Sequence, residues 1–310
     1  MFFSITIPAY KPLFLREAIE SCLSQTYTDF ELIIVDDASP YDLISIVKQF
    51  EDSRVHYYKN KTNCGAINVV DNWNKCLGYC TGKYVICMGD DDRLLPNCLE
   101  EYSKLIDKYP NLGVYHAWTE IIDENGSVSD ITTARPEYET VYSMLWHRWK
   151  GRMQYIGDFC FDTQQLRNAG GFYKLPLAWS SDEISALIAA KESGVANTQT
   201  PTFQYRINRF TISNVGNADE KLNAIQQSQQ WYNQFLQEKP NDNIDNIFWT
   251  LINEMFDKHF EMMKYNAIQQ DMIGKNMFRI MYWYKRRKKY NLNLKIFMRL
   301  FKDVLVKPFK

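Results

Sequence analysis

The chain has 310 residues, of which 45% are hydrophobic, and its formal net charge is −1 at pH 7. This length allows one large domain with an appendage, and the composition supports an ordinary packed core. No uninterrupted apolar run is long enough to span a membrane, the apolar start is predicted as a strand rather than a signal peptide, and seven scattered cysteines without a CxxC pair predict buried free thiols.

The first part of the chain alternates predicted strands with predicted helices. We predict strands at residues 4–9, 30–35, 54–58 and 84–88 and helices at residues 13–27, 43–50 and 72–79. The strand at 30–35 is almost continuously apolar, which is typical of a strand buried on both faces. This alternation predicts an α/β fold with a mainly parallel sheet flanked by helices.

Two of these strands end in acidic residues. Asp36 and Asp37 follow the second strand, and Asp90, Asp91 and Asp92 follow the fourth. Adjacent carboxylates repel one another, and a divalent cation such as Mg²⁺ or Mn²⁺ relieves that repulsion and commonly holds a substrate's phosphates. An acidic, solvated turn is the alternative. The position at the carboxyl ends of strands, where open α/β sheets bind ligands, favours a metal–phosphate site.

A further acidic pair, Asp182 and Glu183, stands at the start of a helix predicted at residues 184–193. Acids stabilise a helix N-terminus, so a capping role is one interpretation. The other is a general base, because a helix N-terminus would keep the carboxylate ionised at neutral pH.

These motifs resemble, in order and spacing, those of family 2 glycosyltransferases. The resemblance is carried by residues 6–10, 15–27, 30–39, 63–65, 82–84 and 90–96 and extends over about residues 3–215. It implies a GT-A fold (Rossmann-like), a nucleotide-sugar donor, Mn²⁺ or Mg²⁺, and inverting sugar transfer.

The resemblance implies a set of donor-binding residues. This set is Pro8, Ala9, Tyr10, Glu17, Asp37, Asn74, Asp90 and Arg206. Residues 8–10 should line the base, and Glu17 should face the ribose. Asp37 should accept the N3–H of a pyrimidine, which suits an ionised carboxylate and favours UDP. Arg206, or Arg209 in the segment that continues to Ser213, should bind phosphate, with a surface salt bridge as the alternative.

The metal and the catalytic residues follow from the same resemblance. Asp91 should coordinate the ion with Asp92 in support, while Asp90 points to the ribose, although the assignment within the triplet stays open by one position. The family motif has an acid where this chain has Gly89. Asp182 is the predicted base, with Glu183 as the alternative. The predicted acceptor-binding residues are Gly171, Phe172 and Trp179.

The C-terminal segment differs sharply in charge from the rest. Residues 275–310 contain 12 lysines and arginines and one acid, so this segment carries +11 and the preceding 274 residues carry −12. Apolar residues recur there at three- and four-residue steps: Leu292, Leu294, Ile296, Phe297, Leu300, Phe301, Val304 and Leu305. A basic amphipathic helix at 276–310 predicts contact with an anionic membrane surface. The alternative is a helix that packs on the catalytic domain.

Together these features predict a GT-A catalytic domain at 1–215 and a helical extension at 216–310, with the boundary at 214–219. Within the catalytic domain, about 1–100 should bind the nucleotide-sugar and about 101–215 the acceptor. The predicted activity moves one sugar from a UDP-sugar to a glycan or lipid-linked acceptor in polysaccharide or cell-envelope synthesis, in the cytoplasm or at the inner face of its membrane. Nucleic acid is not an expected partner. A non-catalytic module with a decayed transferase fold is the alternative, opposed by the presence of Asp37, Asp91 and Asp182.

Overall fold

The computed structural model describes residues 2–208, 217–272 and 278–306. The strands of this part of the chain are β1 (Phe3–Ala9), β2 (Phe30–Asp36), β3 (Val55–Lys59), β4 (Tyr84–Cys87), β5 (Arg93–Leu94), β6 (Val114–Ile122), β7 (Val128–Ile131), β8 (Tyr138–Glu139), β9 (Phe159–Asp162) and β10 (Val195–Arg206). All four strands predicted in the first hundred residues are present, within one residue of the expected bounds at most ends.

The helices complete a layered α/β arrangement. They are α1 (Leu15–Leu23), α2 (Ile44–Val47), α3 (Val69–Tyr79), α4 (Cys98–Lys108), α5 (Val141–Trp149), α6 (Thr163–Asn168), α7 (Ser181–Ala190), α8 (Ala218–Phe235), α9 (Asn243–Met272), α10 (Phe278–Lys285) and α11 (Leu294–Val306). Short 3₁₀ turns lie at Ala66–Asn68, Ile156–Asp158 and Pro176–Ala178. None of the helices in the described ranges is long and apolar enough to cross a membrane.

One sheet runs through the molecule in the order β3-β2-β1-β4-β9-β6-β10-β5. The first four strands are parallel, as predicted from the strand–helix alternation. Beyond β4 the sheet is mixed, because β9 is antiparallel to both β4 and β6 while β10 is parallel to β6. The carboxyl ends of β1, β2 and β4 therefore meet at one edge, and the acids that follow β2 and β4 are brought together there.

Strand β2 is buried along its whole length because helices cover both faces of the sheet. Leu32 and Ile34 pack on the face covered by α1 and α4. Ile33 and Val35 pack on the opposite face, against α3 and the helices that follow. This two-sided burial explains the continuous apolar run in the sequence.

The C-terminal helices share a core with the sheet. Leu145 of α5, Ile225 of α8, Phe260 of α9 and Trp283 of α10 belong to the same buried cluster as Val85 of β4. Half of the predicted boundary at 214–219, residues 214–216, lies outside the described part. The division into two domains therefore stays a prediction.

Candidate functional site

A continuous groove lies at the carboxyl ends of β1, β2 and β4. It consists of an outer cavity of about 280 Å³, a central cavity of about 220 Å³ and a helical cavity of about 720 Å³. Neighbouring cavities share walls. The outer and central cavities share Pro8, Lys11, Val69 and Asp90, and the central and helical cavities share Tyr155, Leu177, Ala178, Asp182 and Tyr205.

The outer cavity contains most of the predicted base-binding residues. Pro8, Tyr10 and Asp37 line it. The Asp37 carboxylate accepts hydrogen bonds from the Cys64 amide at 3.0 Å and from the Asn60 side chain at 2.7 Å. Ala9 is buried beside the cavity, where its carbonyl accepts the Asp37 amide. An ionised carboxylate has about four acceptor positions, so Asp37 keeps capacity for one more donor.

Asp90 forms the wall between the outer and central cavities. One of its oxygens accepts the backbone amides of both Tyr10 and Lys11 at 2.7 Å, which ties the end of β4 to the end of β1. Burial and the nearby charge of Asp91 raise the pKa of Asp90 to about 6. Asp90 thus lies between the two cavities, and its place beside a ribose stays a prediction.

Asp91 and Asp92 direct one oxygen each toward the backbone of Gly89. A side chain at Gly89 would begin 2.8 Å from Asp91 Oδ1 and 2.9 Å from Asp92 Oδ2. The departure from the family motif at Gly89 therefore has a physical reason, since an acid there would displace both carboxylates. The opposite oxygens are fixed, because Asp91 Oδ2 accepts from Asn208 Nδ2 at 2.7 Å and Asp92 Oδ1 from the Arg206 amide at 2.9 Å.

This pair of carboxylates fits a divalent cation. Burial and the charge of Asp91 raise the pKa of Asp92 well above its usual range, and a bound cation would offset that cost. In the described ranges no group of three or more His, Cys, Asp or Glu could hold a metal ion. The protein would therefore supply two carboxylate ligands to the ion. This number is typical of Mg²⁺ sites in which substrate phosphates and water supply the other ligands.

Arg206 and Glu17 are not at the groove, which corrects their predicted donor contacts. The Arg206 side chain is 0% exposed, and it donates to the Asp91 carbonyl at 2.7 Å and to Glu17 at 2.8 Å. Its remaining nitrogen donates to the carbonyls of residues 123 and 124. Glu17 also binds Arg93. Because its donors are occupied inside the protein, Arg206 positions the aspartate loop and has no route to a phosphate. Arg209 and Ser213 lie outside the described residues.

Asp182 lines both the central and the helical cavities. Burial raises its pKa to about 6, although the charge of Arg148 partly opposes that shift. The effect of burial on the pKa is thus larger than the opposite effect expected from the helix N-terminus. At neutral pH this carboxylate is still mostly ionised, and it is more basic than an ordinary aspartate, as a general base requires.

Glu183 also lines the helical cavity, but its carboxylate is occupied by protein partners. It accepts from the Trp149 indole at 3.2 Å and from the Tyr232 hydroxyl, and it pairs with Arg148 at 3.0 Å. A carboxylate with three fixed partners is poorly placed to take a proton from a substrate. The contrast supports Asp182 as the base.

The loop before α7 has an unusual backbone. Leu177, Ala178 and Ser180 adopt φ values of 60°, 53° and 72°, a region that non-glycine residues rarely occupy. Leu177 and Ala178 line the groove where the central and helical cavities meet. Such local strain is common at functional sites, and the sequence carries no glycine or asparagine that would have predicted it here.

Asn74, Gly171 and Phe172 form a structural clip instead of contacting ligands. The Asn74 side chain donates to the Phe172 carbonyl at 3.1 Å and accepts its amide at 2.8 Å. The Phe172 ring is buried in the core. These contacts correct the predicted donor role of Asn74 and the predicted acceptor roles of Gly171 and Phe172, because Asn74 and the Phe172 backbone satisfy one another and the Gly171 amide donates to the Leu166 carbonyl at 2.9 Å.

Substitution at Gly171 should be costly because of this clip. Gly171 has φ +88°, and a Cβ would lie 2.3 Å from Asn74 Oδ1. We expect Gly171→Ala to lower the free energy of unfolding by about 2–4 kcal/mol, from backbone strain plus loss of the Asn74 hydrogen bonds. Gly170→Ala is the matched control, since its φ is +91° with no atom within 4 Å of a Cβ. Equal losses in urea unfolding for the two variants would contradict the role of the clip.

One part of the helical cavity is built by helices that were predicted to belong to an extension. Trp179, a predicted acceptor-binding residue, lines this cavity, and the Lys221 ammonium of α8 lies 5.1 Å from the Trp179 ring centre. Further walls come from α8 and α9: Tyr232, His259, Met262, Met263 and Asn266. No local pattern in the sequence identifies these residues, because the packing of α8 and α9 brings them to the groove.

Comparison with known proteins agrees with this arrangement. The family model described as glycosyl transferase family 2 matches residues 4–166. The chain is 33% identical over 118 residues to the uncharacterized glycosyltransferase MJ1057 of Methanocaldococcus jannaschii, and 35% identical over 115 residues to the protein named EpsE of Bacillus subtilis. These alignments cover 37% and 36% of this chain and 40% of each relative, so they span about two fifths of the relatives' length.

Two solved structures share the fold. Residues 1–349 of S. aureus TarS, in complex with UDP-GlcNAc, superpose with a TM-score of 0.68 at 14% identity over 98% of this chain and 91% of that one. The mannosyltransferase PcManGT from Pyrobaculum calidifontis, in complex with GDP-Man and Mn²⁺, gives a TM-score of 0.55 at 14% identity over 98% and 86% of the two chains. At these identities the likeness concerns the fold, and it confirms the predicted GT-A class with C-terminal helices.

Proposed function

This chain belongs to glycosyl transferase family 2, and on that basis we propose that it transfers one sugar from a nucleotide-sugar to a hydroxyl of a glycan or lipid-linked acceptor, with inversion. The observation that carries this proposal is the continuous groove. Asp37, Asp91 and Asp182 follow one another along its three cavities. A nucleotide-sugar with its acceptor has the matching order of base, diphosphate and reacting hydroxyl.

The donor is proposed to be a UDP-sugar. Asp37 faces the outer cavity as an acceptor with one position to spare, which suits the N3–H of uracil. Pro8 and Tyr10 provide the adjoining walls. The complexes of TarS with UDP-GlcNAc and of PcManGT with GDP-Man support a nucleotide-sugar donor for this fold.

Asp91 and Asp92 would hold Mn²⁺ or Mg²⁺ against the donor diphosphate. Such an ion neutralises the diphosphate and makes it a better leaving group. The protein's contribution is to fix the two carboxylates, through Asn208 on Asp91 and the Arg206 backbone on Asp92. The Mn²⁺ in the PcManGT complex supports this assignment.

Asp182 is proposed to take the proton of the acceptor hydroxyl. The hydroxyl oxygen then attacks the anomeric carbon from the face opposite the diphosphate, so that the configuration inverts without a covalent enzyme intermediate. The acceptor would occupy the helical cavity, where Trp179 and Tyr205 offer aromatic surfaces beside Asp182. Arg148 balances the charge of the Asp182–Glu183 pair.

This assignment predicts a pH dependence. Because the pKa of Asp182 is about 6, its basic form is lost as the pH falls through that value. We expect kcat at saturating donor to be level above about pH 7 and to fall about tenfold per pH unit below pH 6. Thermal-shift titration of the donor at each pH controls for weaker donor binding. A kcat that stays level down to pH 5 would exclude Asp182 as the base.

The cellular setting is proposed from the same features. The reaction would serve polysaccharide or cell-envelope glycan synthesis on the cytoplasmic side of the membrane. The basic segment 276–310 would hold the enzyme at an anionic membrane surface, with 1–215 as the catalytic domain and 216–310 as its helical extension.

Thermal-shift screening of nucleotide-sugars with and without Mn²⁺ tests the proposed donor. A ligand at 100 times its Kd stabilises the native state by about 2.7 kcal/mol, which corresponds to roughly 5 °C or more for a protein of this size. We expect UDP-sugars with Mn²⁺ to give this shift, and Asp37→Asn to lose the preference for UDP while the protein still responds to Mn²⁺. A panel in which no nucleotide-sugar raises the midpoint would refute the proposal.

A further inference from the structure

Helix α11 is apolar on two faces, and only one of them is buried. Ile296, Phe297 and Leu300 pack inward, in the same buried cluster as α9 and α10. The sequence assigned all the apolar residues of this segment to one face, and the structure corrects that prediction. The side chains of Val304 and Leu305 lie outside the described part.

The second face of α11 points outward. Leu294, Met298 and Phe301 are 61%, 66% and 47% exposed. Their spacing of four and three residues places them in one stripe along the helix. Large apolar side chains in a contiguous exposed stripe are uncommon on monomeric proteins and mark a surface that meets another phase or partner. We call these three residues the outer stripe.

Positive charge lies along one side of the outer stripe. Lys295, Arg299 and Lys302 are exposed on the same helix. From residue 278 to residue 303 there are nine lysines and arginines and one acid, Asp303, but Arg279 pairs with Asp271 and Arg286 with Asp219, so the charge next to the stripe is that of α11 itself. Asp303 does not offset this charge at the outer surface, because its carboxylate accepts from the Tyr265 hydroxyl and from Gln269 of α9. An apolar stripe flanked by basic residues complements an anionic bilayer, whose headgroups and acyl chains meet both features.

Helix α11, which carries the outer stripe, also contacts a helix that lines the groove. Arg299 of α11 donates to the Met262 sulfur at 3.2 Å, and its guanidinium lies 4.0 Å from the Tyr265 ring centre. Met262 in turn lines the helical cavity. Packed helices are separated by about 8–10 Å, so a bilayer on the outer face of α11 lies about one helix away from this cavity.

From this juxtaposition we infer that Leu294, Met298 and Phe301 insert into an anionic lipid surface and bring the helical cavity beside it. This inference deepens the proposed function, because it specifies the acceptor as lipid-linked and the side from which it arrives. A bilayer-anchored acceptor would reach Asp182 along the α9 wall without leaving the membrane surface.

Vesicle co-sedimentation of the full chain tests the surface. The vesicles contain either equal parts of phosphatidylglycerol and phosphatidylcholine, or phosphatidylcholine alone. The unaltered protein should bind the anionic vesicles at low salt, and the binding should weaken as salt screens the exposed charges. Lys295→Gln with Lys302→Gln should weaken anionic-vesicle binding about 30-fold, given the usual contribution of two basic residues.

A matched pair of variants isolates the outer stripe. Met298→Glu with Phe301→Glu should reduce anionic-vesicle binding at least about tenfold. Ile244→Glu with Ile247→Glu is the control, because these residues are 63% and 60% exposed at the opposite end of α9 from the segment that contacts α11. Equal loss in both pairs, or unaltered protein that ignores anionic vesicles, would overturn the inference.

Donor binding separates this inference from the proposed function. The thermal shift with UDP-sugar and Mn²⁺ should be the same in the stripe variant, the control variant and the unaltered chain. If the unaltered chain binds anionic vesicles but no nucleotide-sugar, the proposed function fails and the membrane surface stands. If it binds the donor and the stripe variant binds vesicles as the unaltered chain does, only the membrane surface fails.

Discussion

Asp182→Asn is expected to lower kcat by about 10²–10⁴-fold, the usual contribution of a general base, with donor affinity unchanged. The reason is geometric, since Asp182 faces both the central and the helical cavities whereas the outer cavity is walled by other residues. The measurement is kcat at saturating donor, together with a thermal-shift titration of the same donor. Near-normal kcat in the variant would remove Asp182 from the mechanism.

A stability measurement distinguishes a base from a helix cap at the same position. Because burial raises the pKa of Asp182, its charged form is disfavoured in the folded state, and its contribution to stability is lost as the pH rises from about 4 through about 6. Asn in its place removes that cost, so Asp182→Asn should unfold at the same or a higher temperature at pH 7. A cap would show the opposite result, a loss of about 1 kcal/mol.

Glu183→Gln is the control for the neighbouring carboxylate. It should lower the free energy of unfolding by about 1–3 kcal/mol, because Arg148 loses its partner in a largely buried setting. Turnover of the folded protein should stay within about tenfold of normal. If Glu183→Gln loses turnover while Asp182→Asn keeps it, the base is Glu183.

Asp91→Asn is expected to abolish metal-dependent transfer, with a loss on the order of 10³-fold or more. The carboxylate would supply one of two charged oxygens to an ion that stabilises the leaving diphosphate by several kcal/mol. The fold should be intact, since the Asp91 side chain faces the central cavity and its carbonyl, which receives Arg206, is unchanged. Turnover as a function of Mn²⁺ concentration is the measurement.

Asn208→Ala provides a graded comparison for the metal site. Asn208 holds the second oxygen of Asp91, so its removal should raise the Mn²⁺ concentration needed for half-maximal rate by about 10–100-fold without changing the maximal rate. Asp91→Asn with near-normal Mn²⁺-dependent turnover would refute the assignment of the metal to this pair.

Local sequence patterns were sufficient for the part of the site that lies next to strand ends. The apolar periods of β1, β2 and β4 determine where the strands stop, so the positions of Asp37, Asp90 and Asp91 at one sheet edge could be predicted. The start of α7 at Ser181 likewise placed Asp182 and Glu183 on a first helical turn. Both line the helical cavity, and Glu183 is the one whose carboxylate is occupied, by Trp149 and Tyr232 from distant helices.

The misplaced residues share one cause, which is contact over long stretches of chain. Arg206, at the end of β10, contacts Asp91 and Glu17, which are 115 and 189 residues away in the sequence. Asn74 contacts Phe172, which is 98 residues away. These residues are polar and stand at positions that match the family's ligand-binding motifs, so they were predicted to bind ligands. In the structure their polar groups bind other parts of the protein instead. The cavity-lining residues of α8 and α9 could not be predicted from the sequence for the same reason.

Inverting transfer of one sugar to an acceptor is tested most directly by determining the structure of the product that the full chain forms. The chain is incubated with Mn²⁺, the UDP-sugar selected by thermal shift, and lipid-linked glycan acceptors in anionic vesicles. Mass spectrometry and the NMR coupling of the new anomeric proton then define the product. We expect one added sugar per acceptor, with anomeric configuration opposite to the donor. Retained configuration, or donor hydrolysis with no sugar added to any acceptor, would contradict it.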